Sequence, residues 1–242
     1  MARPAPAKKL KPAEQARIAE IFDRFAALND DPRTELEYRD PFTLVVAVAL
    51  SAQATDKSVN KATERLFADA PTPEAMLALG EEGLIPYIAS IGLFRTKAKN
   101  VVALSRILVE RYGGEAPLNR EALQALPGVG RKTASVVLNE LGVEPAIAVD
   151  THVFRVSHRL GLSTGKTPEQ VEAELMGKIP QPYLTRAHHW LILHGRYTCL
   201  ARRPKCGECP VADLCPSRHL FETGTAGAPA SPSRRKKAAS AA

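Results

Sequence analysis

All four cysteines of the chain, Cys199, Cys206, Cys209 and Cys215, lie in one stretch, CLARRPKCGECPVADLC, with the spacing C-x6-C-x2-C-x5-C. Disulfide partners or buried thiols would be dispersed, whereas four cysteines in one window of a chain without an export signal gather thiolates around a metal. No histidine shares the window, and Cys206 with Cys209 forms the tight C-x-x-C bite. A zinc tetrahedron and a 4Fe-4S cluster both accept four thiolates, and spacing alone leaves the two open. Neither leaves a coordination position for substrate, so a binding or scaffolding role suffices. Arg202, Arg203 and Lys205 sit between the ligands. On a metal-stapled loop they either grip phosphate or offset thiolate charge.

A second constellation is EALQALPGVGRKTASVVLNELG, residues 121–142, which reads as helix, Gly-Val-Gly turn, helix. Leu123, Leu126, Val129, Ala134, Val137 and Leu138 would pack its arms together. The backbone amides of Gly128, Val129 and Gly130 then face outward at a helix N-terminus, where they hold a phosphate without reading sequence. Arg131 and Lys132 follow in the first helical turn, against the preference of the helix dipole for negative charge there. Lys132 is either a further phosphate contact or a nucleophile. An amine beside a positive helix end, with Arg131 adjacent and with partial burial, loses some preference for its ammonium form. Asp150, in AIAVDTHVFRV, opens the next helix. It either caps that helix or serves as the carboxylate that takes a lysine proton or stabilises positive charge on a sugar ring.

The elements that must position these groups are helices. Asp40-Pro41, Thr72-Pro73 and Thr167-Pro168 each place a capping side chain before a first-turn proline, Gln170 completes a capping box, and Asn119 caps REALQAL. Apolar residues recur at three and four, as in Ile18, Ile21, Phe22 and Phe25, and in Val101, Leu104, Ile107 and Leu108. Gly80, Gly92, Gly113, Gly142, Gly161 and Gly195 fall where such helices should stop. TLVVAVAL, residues 43–50, is valine-rich but follows a strong helix start and lacks strand partners, so it is read as a buried central helix. His188, His189 and His194 are read as core or helix-surface histidines, with Trp190, Leu191 and Leu193 as packing. The expected fold class is all-α, with around ten helices and no fixed-period repeat.

The 242 residues carry a net charge of +7, which points to a polyanionic partner. The excess is at the ends: residues 1–11 and 218–242 each carry +4, so residues 12–217 net −1 and any nucleic-acid surface there must be a local patch. Both ends are rich in Pro, Ala, Gly and Ser, and are expected to be disordered basic tails. The N-terminus lacks an apolar core for export and no eighteen apolar residues run together, so a soluble, cytoplasmic chain is expected.

Three motifs in order, LSAQATD at 50–56, LPGVGRKTASVVLNELGVEPAIAVDTHVFRVSHRL at 126–160 and the cysteine box, resemble the endonuclease III family, the bifunctional DNA glycosylase/lyases of the helix-hairpin-helix superfamily. The resemblance spans residues 14–216. It implies that Lys132 is the nucleophile, Asp150 its catalytic partner, and the four cysteines the ligands of a 4Fe-4S cluster. It also implies that Gln53 enters the gap left by an extruded nucleotide and that Leu93 wedges the opposite strand, roles an amide and an apolar side chain can physically fill. Two helical lobes would flank a DNA-binding cleft: a six-helix domain over 34–144, and an iron–sulfur domain combining 12–33 with 145–217. The implied function is base excision repair of oxidised pyrimidines in damaged double-stranded DNA, by a monomer in the bacterial cytoplasm and nucleoid. Base loss through a lysine Schiff base would be followed by β-elimination 3′ to the abasic site. The alternatives are a monofunctional adenine glycosylase of the same superfamily, a branch that generally lacks the lysine, and a non-catalytic DNA-structure binder.

Overall fold

A computed structural model describes residues 10–222. The expectations for residues 1–9 and 223–242 lie outside the described residues. Eleven α-helices and three short 3-10 turns, with no strand among the described residues, make up the fold. In order these are α1 (Pro12–Leu28), α2 (Pro41–Leu50), α3 (Asp56–Asp69), α4 (Pro73–Ile88), α5 (Phe94–Tyr112), α6 (Arg120–Gln124), α7 (Arg131–Glu140), α8 (Thr151–Arg159), α9 (Pro168–Lys178), α10 (Leu184–Tyr197) and α11 (His219–Glu222).

The helix starts follow the predicted chemistry. Asp40 accepts from the Thr43 amide while Thr43 Oγ1 accepts from the Asp40 amide, a reciprocal box at the head of α2. Thr72, Asn119 and Thr167 cap α4, α6 and α9. The Gln170 side chain takes the Lys166 amide at 2.8 Å instead of the cap residue's own, so that box is shifted by one residue. TLVVAVAL forms the central helix α2, with Leu44, Val45, Val46, Ala47 and Leu50 fully buried. Each such leucine contributes about 1.5–3 kcal/mol by leaving water.

Two apolar clusters organise the molecule. One draws on α2 to α7, from Leu36 to Leu138. The other joins Ile18, Ile21, Phe22 and Phe25 of α1 to residues from Ile147 to Val211 in α8, α9, α10 and the cysteine loop. The N-terminal helix therefore packs with the C-terminal third of the chain, where Trp190 Nε1 also donates to the Asn29 carbonyl.

Two details differ from the sequence reading. Gly195 does not end a helix: it lies inside α10, buried, where a Cβ would come within 2.9 Å of His152 Cβ, and the glycine lets α10 approach α8. Gly80, by contrast, does interrupt its helix: at φ 63° it leaves helical geometry and divides α4 into two segments across a kink. Residues 218–222, expected in the C-terminal tail, are ordered, because Phe221 finds a cation to stack on: the Arg159 guanidinium lies 4.4 Å from its ring centre.

Candidate active site and cluster loop

The hairpin of α6 and α7 closes on Leu123, Leu126 and Val129, all buried. Gly128 has φ +78°, and a Cβ there would meet Asn100 at 3.0 Å, so both the backbone angle and the space require glycine. The Val129 side chain is buried, as its expected packing between the arms requires, while its amide is spent on the Leu126 carbonyl at 3.1 Å instead of facing outward. The outward amides of the turn are those of Gly128 and Gly130. No side chain caps α7, so its first turn is also open to an anion.

Lys132 stands exposed on that turn, without the partial burial expected of it. Arg131 beside it is already engaged: its Nη2 lies 2.6 Å from Glu172 Oε2 of α9, across from the hairpin. A cavity of about 360 Å3 opens there, lined by Lys132 and Ser135 of α7, by Ala148 and Val149, and by Glu169 and Glu172 of α9. Ala148 and Val149 lead directly into Asp150. Asp150 is the N-cap of α8, and its Oδ1 accepts from the His152 and Val153 amides, both at 2.8 Å. Its Oδ2 has no hydrogen-bond donor among the described residues. The cap and the free carboxylate oxygen coexist in one side chain. Lys132 lines the cavity, while Asp150 follows Val149 of its wall and makes no hydrogen bond to Lys132.

Gln53 and Leu93 are the only non-glycine residues with positive φ among the described residues, at 58° and 61°. Both are exposed, Leu93 by 61 %, so Leu93 is not a core leucine. Left-handed backbone at such residues costs on the order of 1–3 kcal/mol and persists where the surroundings impose it.

The four thiols line one cavity of about 350 Å3, together with Arg159, His194, Arg218 and Phe221. Four thiols around one pocket are a ligand set that either a zinc ion or a 4Fe-4S cluster accepts. Burial pushes the Cys209 thiol up to about 11, and Cys199, Cys215 and Cys206 add to the rise. Four thiolates in this pocket therefore need a cationic metal among them. Arg202, Arg203 and Lys205 are exposed. A buried cation against the thiols is Arg159, whose Nη1 lies 3.4 Å from Cys199 Sγ while its two terminal nitrogens hold the Leu200 and Ala201 carbonyls at 2.7 and 2.8 Å. Arg155 holds the Cys199 carbonyl, and Arg17 of α1 holds those of Leu160 and Leu214. Sequence reasoning missed these arginines. The signal was present in Arg159, a charge on the α8 face that also carries Val153 and Val156.

The elements of the two apolar clusters meet along a polar seam. Glu140 of α7 accepts from Tyr38 Oη at 2.9 Å and lies 3.1 Å from His189 Nε2 of α10, close but misaligned for a hydrogen bond. Burial pushes the Glu140 carboxyl up, but His189, Tyr38 and the Thr34 amide outweigh it and hold it below its ordinary value. Arg196 of α10 bonds Glu35 and, at 2.6 Å, Asp56.

Comparison with known proteins gives this geometry a family. Residues 46–181 match the model of the HhH-GPD superfamily base excision DNA repair proteins, and residues 199–215 match the iron-sulfur binding domain of endonuclease III. The chain belongs to the HhH-GPD superfamily, in its endonuclease III branch. It is 59% identical over 202 residues to endonuclease III of Rickettsia conorii, covering 83% of this chain and 96% of that protein. With endonuclease III of Escherichia coli K12 it shares 55% identity over 201 residues, covering 83% and 95%. A solved trapped endonuclease III–DNA covalent intermediate superposes with a TM-score of 0.79 at 44% identity, over 87% of this chain and 98% of the other. The endonuclease III activity is that of a base excision repair glycosylase and abasic-site lyase with a 4Fe-4S cluster, and membership extends both to this chain. No helix of the described residues is long and apolar enough to cross a membrane.

Proposed function

We propose that Lys132 carries the covalent chemistry on damaged double-stranded DNA, with oxidised pyrimidines as the bases removed. The observation that carries this reading is the placement of Lys132: exposed, unpaired, two residues past the last of the hairpin's open amides, at a cavity whose wall includes Val149, the residue before Asp150. With a duplex seated on the Gly128 and Gly130 amides, an extruded sugar would reach that cavity. The lysine nitrogen bonds to C1′ as the glycosidic bond breaks and the base departs with the bonding electrons. Asp150 Oδ2 accepts the proton the lysine sheds and stabilises the cationic sugar. The C1′–O4′ bond then opens, with O4′ taking a proton, and leaves a protonated imine that acidifies C2′; a proton leaves there, and the C3′–O bond breaks with the 3′ phosphate as leaving group, cutting the strand 3′ to the lesion.

Gln53 and Leu93 fill the vacated duplex from two sides, a use that fits their exposure and held backbone. Cys199, Cys206, Cys209 and Cys215 ligate the 4Fe-4S cluster, which when bound supplies a rigid charged staple for the loop. Arg202, Arg203 and Lys205 meet DNA phosphates from it. Residues 34–144 and the pairing of 12–33 with 145–217 act as the two lobes, a division the two apolar clusters support. The protein works as a monomer in the cytoplasm on nucleoid DNA.

Product analysis on thymine-glycol, abasic and A·oxoguanine duplexes, with and without borohydride, tests the reading. Expected are base release and 3′ cleavage on the first, cleavage on the second, and a reducible adduct that Lys132→Gln abolishes while lesion binding persists. Adenine release without cleavage would establish the monofunctional alternative, and binding without any product the non-catalytic one.

A further inference from the structure

Gln53 and Leu93 lie on different segments, one in the turn after α2 and the other at the head of α5, yet they share a strained backbone and exposure. Lys97 touches both segments. Its amide donates to the Leu93 carbonyl at 3.0 Å, closing the first turn of α5, and its Nζ donates to the Ala52 carbonyl at 2.8 Å, next to Gln53. Every other hydrogen bond made by residues 51–54 is local: Ser51 to Ala47 and Val48, and Ala54 to Ser51. Lys97 is 6 % exposed and has no carboxylate partner. A buried ammonium on one carbonyl is a costly way to fill space that methionine would fill at no electrostatic cost. Burial correspondingly weakens its hold on its proton. What the ammonium provides, and a hydrophobe could not, is a directional tether between the two strained residues.

We propose that Lys97 is a positioning residue that fixes the spacing of Gln53 and Leu93, and so governs how the duplex gap is filled during base extrusion without taking part in the covalent step. This rests on the reading that Gln53 and Leu93 enter the duplex. A tether matters because small misplacements are expensive: a shift near 1 Å costs up to about 100-fold in rate.

The test uses the full-length holoenzyme and two substrates, a thymine-glycol duplex with 2-aminopurine beside the lesion and a single-stranded abasic oligonucleotide with no gap to fill. Lys97→Met should lower single-turnover base release on the duplex by about 10- to 100-fold, with a matching loss of the 2-aminopurine signal. Borohydride trapping on the single strand should stay within about twofold, and the Met substitution should add nothing in a Gln53→Ala/Leu93→Ala background, since residues acting through one another are not additive. Equal losses on both substrates, or a penalty that persists in the double-alanine background, would mean that Lys97 merely supports the fold and would overturn the proposal. Unchanged duplex activity would overturn it too. If the double-alanine variant itself extrudes normally, the gap-filling reading fails first and independently. Lys97→Arg keeps a charged donor and serves if the methionine variant does not fold: duplex extrusion should return to within about threefold of wild type, and an equal loss on both substrates would again overturn the proposal.

Discussion

The hairpin and the cysteine loop both use cations beside reactive groups, but they are built in opposite ways. Around the thiols, Arg159, Arg155 and Arg17 are tied to the Leu200, Ala201, Cys199, Gly195, Leu160 and Leu214 carbonyls, and Arg159 is further covered by Phe221. Around Lys132 the groups are left incomplete: an exposed amine, an uncapped helix start and one free oxygen on Asp150. A site that must hold a cofactor fills its hydrogen-bond capacity, whereas a site that must meet a substrate keeps some in reserve.

The largest way to sharpen this contrast is Asp150→Asn. The amide oxygen can still cap α8, so unfolding free energy should fall by no more than about 1 kcal/mol. Single-turnover base release should fall by about 10²- to 10⁴-fold. Denaturant melts and rapid-quench assays on the same preparation separate the two numbers, and parallel losses would break the distinction between cap and chemistry. Next in size is Arg159→Met on the saturated side. Losing charge-assisted bonds to two carbonyls and a thiol should cost about 2–4 kcal/mol. Visible absorbance under chelator should decay faster, while trapping per loaded molecule stays constant.

Acid weakens the seam between the two regions in two steps. His188 is fully buried and held well below its ordinary value, first by burial, then by His189, Lys132 and Arg196. Its unfolded form therefore binds a proton more readily, so its contribution is complete above about pH 6.5 and is lost progressively as pH falls from there towards its lower folded-state value. Glu140, held low, contributes fully above its unfolded-state value and loses that contribution as pH falls through its folded one. Urea melts should show His188→Gln removing about 1 kcal/mol of the stability lost between pH 7 and 5.5, and a Glu140→Gln effect confined to lower pH. The smallest expected effect comes from Arg202, Arg203 and Lys205. Replacing all three with alanine should flatten the log–log salt dependence of DNA binding by roughly 3 units, leaving single-turnover rates at saturation unchanged.

The helices were legible because their signals are local: Asp40 before Pro41, Thr72 before Pro73, Asn119 before REALQ. The hairpin was legible because Gly128 has no alternative residue at its angle and distance. Arg159, Lys97 and Glu172 were not, because each draws its role from a partner distant in sequence, such as Ala52 for Lys97 or Cys199 for Arg159. Gly195 was misplaced for a related reason: a residue type that suits a helix end serves equally well between crossing helices, and only packing decides. Phe221 lay in a stretch whose composition reads as tail, and its ordering depends on a cation in α8.

The most direct measurement is peptide mapping by mass spectrometry after borohydride reduction of the enzyme on a lesion-bearing duplex. A single deoxyribose-derived mass addition on the peptide containing Lys132 is the predicted result. An adduct located on any other amine, or none despite complete base release and strand cleavage, would contradict the account.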